Sequence, residues 1–299
     1  MKGTANDRKS LGMFIAAMLI FGTIGVFRRY IPLSSALLAF SRGILGSLFL
    51  QAFVLAAKKK TKAKLPPGVL ARLIITGAAM GINWILLFEA YRYTTVAVAT
   101  LCYYLAPVFV IAVSPFVLGE RLTVKKVVCV LAAMLGMVFV TGIPENGMPT
   151  ASDARGILYG IGAAALYAAV VLLNKRMKDI GPYDRSVSQL ATSAVVMCFY
   201  DAVAGQFTGL AIAPAAIAMT VLVGVVHTGV AYALYFGSLG ALPAQTAAIM
   251  SYLDPVVAVL LSVLLLREKT TPLALLGAAL VLGSTLLSEL GEKPAAESE

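Results

Sequence analysis

Long apolar runs separated by short polar intervals dominate this chain, and within each run the apolar positions are contiguous rather than alternating. Alternation would mark a strand with one wet and one dry face. Contiguous runs of about 20 residues instead match the hydrocarbon thickness that one α-helix crosses. Lipid offers the backbone no hydrogen-bond partner, so such runs are helices whose polar groups pair internally. The pattern predicts ten of them, at roughly 11–30, 35–57, 71–91, 96–118, 124–143, 156–173, 186–204, 215–238, 244–266 and 272–288. Little chain is left for a domain outside the membrane.

Polar residues inside those runs carry the next layer of information. Asp254 stands alone in the run 244–266 and is followed at once by Pro255. An ionisable group at that depth is a functional candidate by default. It can bind a cationic or amino group of a solute, exchange protons, or form a buried structural pair. The run 96–118 has Pro107 at the matching place, preceded by Ala106.

Those two runs belong to a longer repeat. Tyr104–Thr123 laid over Tyr252–Thr271 without a gap matches at Tyr, Leu, Pro, Val, Ser, Leu, Glu and Thr. At the same offset Trp84 falls on Tyr232 and Phe88 on Phe236, while Phe21-Gly22 falls near Tyr167-Ala168. Five runs per copy is an odd number, so the second copy enters the membrane from the opposite side. The expected architecture is an all-α membrane protein of ten transmembrane helices, two inverted five-helix repeats around a central cavity. The expected boundaries are 11–143 and 156–288 for the repeats, a Pro-, Gly- and Ser-containing linker at 144–155, and a tail at 289–299.

Composition narrows the class. Apolar residues make up 60% of the chain and charged residues 13%, which excludes an ordinary soluble domain. The net charge of +10 could suggest nucleic acid, but its placement argues against that. With the N-terminus inside, Lys2, Arg8, Lys9, Lys58, Lys59, Lys60, Lys62, Lys64, Arg72, Arg121, Lys125, Lys126, Lys175, Arg176, Lys178, Arg185 and Lys293 are cytoplasmic. Arg28, Arg29, Arg92, Arg155, Arg267 and Lys269 face the other side. This positive-inside bias puts both termini of a multi-pass inner or plasma membrane protein in the cytoplasm. The partners it implies are the lipid bilayer and a small-molecule solute, with protons as a possible coupling ion and no nucleic acid.

The elements that match a known family are Phe21-Gly22-Thr23, Arg42, Asn83-Trp84 through Ala90-Tyr91, and Pro107 to Glu120-Arg121 with the repeat at Pro255 and Glu268-Lys269. On these residues the whole chain resembles the EamA-type branch of the drug/metabolite transporter superfamily. The resemblance implies a 5+5 inverted repeat, a central cavity and traffic of small organic solutes, with export commoner than import.

Candidate solute contacts follow from spacing. Thr100, Tyr103, Tyr104 and Pro107 share one helical face, and their repeat equivalents include Ser251, Tyr252 and Pro255. Each proline frees a carbonyl four residues back, so Pro107 and Pro255 are candidate hinges in a wet wall, or kinks in a packed bundle. Asn83 and Trp84 could stack on and hydrogen-bond a solute, or simply pack. His227, the only histidine, could face Asp254 as a protonatable pair or be a satisfied core residue. Glu89, Asp201 and Arg42 lie near predicted helix ends, where pairing or snorkelling accounts for them. Glu120 and Glu268 are expected to cap or pair. The pairs Gly77/Gly81 and Gly156/Gly160 allow close helix approach.

No cofactor is implied. No phosphate-binding Gly-Lys loop supplies an ATPase engine, and Cys102, Cys129 and Cys198 lack metal spacing. Two other functions compete with transport. Tyr200-Asp201 resembles half of an intramembrane aspartyl protease site, but the partner Gly-x-Gly-Asp is absent. A non-transporting sensor or assembly subunit would lack a soluble output domain.

Overall fold

A computed structural model describes residues 5–28, 30–56, 68–94, 96–141, 143, 150–177, 180–208, 212–266 and 271–289. All of the regular structure among them is helical. The helices are α1 (Ala5–Arg28), α2 (Ser35–Ala56), α3 (Val69–Tyr93), α4 (Val96–Tyr103), α5 (Ala106–Leu118), α6 (Val124–Val140) and α7 (Ala154–Arg176). Then follow α8 (Pro182–Val203), α9 (Pro214–Leu222), a π-helical segment (Val223–Val230), α10 (Ala231–Leu239), α11 (Ala244–Met250), α12 (Leu253–Leu266) and α13 (Pro272–Glu289).

Each of the ten predicted runs is helical, with shifted ends. Among the described residues seven helical stretches are long and apolar enough to cross a membrane, including α1, α2, α3, α7 and α8. Helix starts use familiar chemistry. Proline at the first position opens α8 and α9. Thr123 caps α6 by accepting from the Lys126 amide at 3.3 Å, and Thr271 does the same for Ala274 at 3.1 Å. Gly119, at φ 69°, ends α5 where a side chain would be strained.

Two predicted helices are broken rather than continuous. α4 stops at Tyr103 and α5 starts at Ala106; α11 stops at Met250 and α12 starts at Leu253. Both breaks lie just upstream of a proline, Pro107 and Pro255, whose ring clashes with the carbonyl four residues back. The Tyr104 carbonyl, in the turn between α4 and α5, accepts from the Tyr252 hydroxyl at 2.9 Å. The two residues are repeat equivalents, so each copy's break packs on the other's.

Packing pairs obey one exchange rule. α1 packs on α10 and α12, while α7 packs on α3 and on α4–α5. α3 packs on α8, and α2 on the π segment. Swapping the first five runs for the last five turns each of these pairs into the other, and leaves α2–α8 and α6–α13 unchanged. The α6–α13 seam is close enough that a Cβ on Gly136 would sit 2.7 Å from the Gly277 carbonyl oxygen. Gly77 and Gly81 face α8, and Gly156 and Gly160 face Thr94 and Cys102, so all four sit at close helix contacts.

The largest apolar core joins α1, α5, α6, α7 and α10–α13 where α5, α7 and α10 end. Smaller clusters lie towards the other end, among α2, α3, α8 and the π segment. Large apolar side chains point outwards around the bundle; Phe116 is 89% exposed and Val203 91%. Such a surface suits lipid rather than water.

Candidate functional site

Between the two helix breaks lies a cavity of about 220 Å³, walled by α1, α2, α3, α7, α10 and both breaks. Asp254, Ser251, Tyr103, Tyr104, Asn83, Trp84 and Pro107 line it. The breaks are what bring Asp254 there. It opens α12 in the first turn after the interruption, and the α1 backbone passes beside it. A Cβ on Gly22 would lie 2.8 Å from the Asp254 carbonyl oxygen, so only glycine lets α1 approach so far.

Three expected solute contacts, Tyr252, Thr100 and His227, and the expected hinge Pro255 do not line the cavity. Tyr252 is fully buried and supports the wall through its bond to the Tyr104 carbonyl. Thr100 pairs with the Tyr91 hydroxyl. Pro255 is buried beneath the lining. Of the expected stripe Thr100 alone drops out, and Tyr103, Tyr104 and Pro107 still face the cavity across the turn at 104–105.

His227 does not pair with Asp254 in this arrangement. Its Nε2 lies 2.7 Å from the Thr23 hydroxyl on α1, and Phe27 packs edge-on at 5.0 Å between ring centres. Its Nδ1 has no partner among the described residues. The physical reason is the π-helical turn that carries it: a wider turn rotates every following side chain off the 3.6-residue phase.

Arg42, read from sequence as a residue near a helix end, lines the cavity. Its Nε donates to the Thr228 hydroxyl at 3.0 Å. Asp254, Tyr103 and Tyr232 are within its electrostatic reach, and the Tyr104 hydroxyl lies within hydrogen-bonding reach of the Asp254 carboxyl. The signal was present, since Arg42 sits about two turns inside α2 rather than in its first turn.

Tyr167, Tyr232 and Tyr235 complete the polar lining. Their sequence signal was the repeat itself, which aligns Tyr232 with Trp84 and Tyr167 near Phe21. The Tyr167 and Tyr235 hydroxyls are 2.8 Å apart, and Phe21 meets Tyr232 edge-on at 5.6 Å. Asn83 donates to the Ala163 carbonyl, which ties α3 to α7 and fixes the amide beside the cavity.

The remaining acids divide cleanly. Glu89 pairs with Arg92 at 2.9 Å and accepts from the Tyr200 hydroxyl. Glu120 accepts from the Ala244 and Gln245 amides at 2.6 and 3.1 Å, and lies 3.8 Å from Lys175. Lys175 also donates to the Leu242 carbonyl. These contacts tie the ends of α5 and α7 to the start of α11, beyond the largest core. Asp201 is fully buried, with neither carboxylate oxygen partnered among the described residues. Glu268 and Lys269 lie outside the described residues. Among the described residues no group of three metal-ligating side chains gathers.

Comparison with known proteins agrees with this arrangement. The profile of the EamA-like transporter family matches twice, over residues 8–142 and 154–290. The Bacillus subtilis protein "Uncharacterized transporter YxxF" is 30% identical over 254 residues, covering 83% of this chain and 78% of its own length. An uncharacterized transporter from Archaeoglobus fulgidus is 26% identical over 275 residues, covering 92% of this chain and 94% of its own. A solved crystal structure shares the fold at a TM-score of 0.84, with 19% identity over 94% of this chain and 96% of its own.

Proposed function

Because the chain belongs to the EamA-like transporter family, which both of its halves match, we propose that it moves a small organic metabolite bearing an amino group, such as an amino acid or a related zwitterionic or cationic solute. It is a multi-pass membrane protein of a transporter family rather than an enzyme. The observation that carries the solute reading is Asp254 lining a closed-in, largely aromatic cavity between two broken helices. A carboxylate in such surroundings is costly unless a cation meets it, and a solute amine supplies one.

In this reading residues 11–143 and 156–288 are inverted repeats joined by the linker 144–155, with the tail 289–299 in the cytoplasm beside the N-terminus. The exchange rule in the helix packing supports a twofold relation between them. Basic Lys125, Lys126, Lys175 and Arg185 cluster at the end where Glu120 lies, which supports that end as cytoplasmic. The cavity then opens to one side at a time as the repeats rock, with Pro107 and Pro255 as hinges and Asp254 as the group that couples flux to protons. The net direction is export, as the resemblance implies.

Counterflow in liposomes containing the purified protein tests this. Preloaded with an unlabelled panel of amino acids and nucleobases, they should accumulate the labelled form of at least one, saturably. Absence of counterflow across the whole panel overturns the reading.

A further inference from the structure

A lone carboxylate would select any amine, but the cavity holds a second charge. If the cavity is the transport site proposed above, Arg42 decides what else the solute must carry. The Nε bond to Thr228 fixes the plane of its guanidinium. No bond to either terminal nitrogen is found among the described residues, and the side chain lines the cavity. Asp254 is within electrostatic reach of it, yet no ion pair joins the two among the described residues.

Two opposite charges facing one small space in poor solvent gain by meeting directly or by each taking a counter-charge. Here they are held apart, Arg42 by Thr228 on the π segment and Asp254 by its place at the start of α12 beside Tyr104. The cavity volume of about 220 Å³ corresponds to roughly seven waters at about 30 Å³ each. A dipolar head group satisfies both charges at once. The planar fork of arginine matches a carboxylate bidentately.

We propose that Arg42 is the specificity-determining residue that binds the solute's carboxylate while Asp254 binds its amino group, so that the protein takes dipolar α-amino-acid-like ions and refuses simple amines. The apolar part of the solute lies against Phe21, Trp84 and Phe236. Neither charge then enters the closed state without its counter-charge, which a plain cation could not provide for Arg42.

Trp84 is the only tryptophan in the chain and lines the cavity, so its emission reports occupancy. The purified full chain in detergent is titrated with each of the protein amino acids except tryptophan, whose own emission would mask that of Trp84. The one that changes the emission most is then compared with its carboxamide, which lacks the carboxylate, and with its deaminated acid. Each derivative should bind at least about tenfold more weakly, the loss expected for one charge-assisted contact. Arg42→Ala should lose the preference for the acid over the carboxamide. Arg42→Lys, which keeps the charge but not the fork, should restore part of it, whereas a purely structural role would not produce that order. Both variants are scored only with an unchanged elution volume and unliganded emission maximum; Arg42→Gln replaces either one that misfolds.

A carboxamide that binds as tightly as its parent acid, or an Arg42→Ala protein that keeps the preference, overturns the assignment. So does a panel in which no amino acid tested alters Trp84 emission. The counterflow panel, which includes nucleobases, decides separately whether the protein transports at all.

Discussion

Asp254 lies in the cavity beside the Tyr104 hydroxyl and within reach of Arg42, so its replacement should alter chemistry more than folding. Asp254→Asn keeps the shape and removes the charge. Counterflow should fall by at least about tenfold, since a hydrogen bond to a charged group contributes about 1.5–3 kcal/mol, while the elution profile stays that of wild type. Undiminished counterflow would rule Asp254 out as a solute or coupling group. Tyr252→Phe should behave in the opposite way. It strips the Tyr104 carbonyl of its donor at the helix break, and an unpaired buried acceptor costs about 1–3 kcal/mol; a lowered thermal midpoint measures it. The residue scale was unevenly legible in the sequence. Asp254 was conspicuous as a carboxylate in an apolar run. His227 was readable either as a partner of Asp254 or as a core residue, because a π-helical turn cannot be inferred from spacing, and that turn aims it at Thr23 and Phe27.

Side-chain contacts tie helix ends together at both ends of the bundle. Glu120 spans from the end of α5 to the first amides of α11, next to Lys175. Glu120→Ala should loosen that tie. A thiol at Ser114, which is buried and bonded to Gln245 at 2.8 Å, should then react several-fold faster with maleimide in a background lacking Cys102, Cys129 and Cys198. An unchanged rate contradicts the role given to Glu120. At the opposite end Asp153 accepts from the Thr94 hydroxyl at 2.6 Å and from Thr150. The Thr94 bond foremost, then those from Thr150, holds its carboxyl below the usual aspartate range. A depressed folded value means this anchor stabilises fully above about pH 3.9, the unfolded aspartate value, and is lost as pH falls through the folded value. Asp153→Asn should therefore flatten the acid side of the stability profile measured by thermal unfolding. The helix runs and both prolines were legible from sequence because burial in lipid imposes long apolar stretches. The turns at 104–105 and 251–252 were not placed, since a proline kinks one helix and breaks another according to what its neighbours can satisfy.

Packing across the whole molecule is nearly unchanged by exchanging its halves, and the cavity falls where that exchange brings the two breaks together. The duplication was readable from matched Tyr, Pro, Ser and Glu positions. The cavity's composition was read only in part: Arg42, Tyr167, Tyr232 and Tyr235 come from three separate helices, and only long-range packing gathers them. Asp254 is not duplicated with the helices; Ala106 stands where the other copy has Asp254, so the cavity has unlike walls. The central claim is that this cavity is reached from each face of the membrane in turn. A single cysteine at Ser251, in a background free of the three native ones, tests it with membrane-impermeant maleimide applied to right-side-out and inside-out vesicles. Labelling from both faces, slowed by a transported solute, is the expected result; labelling from one face alone under every condition, or from neither, would contradict the account.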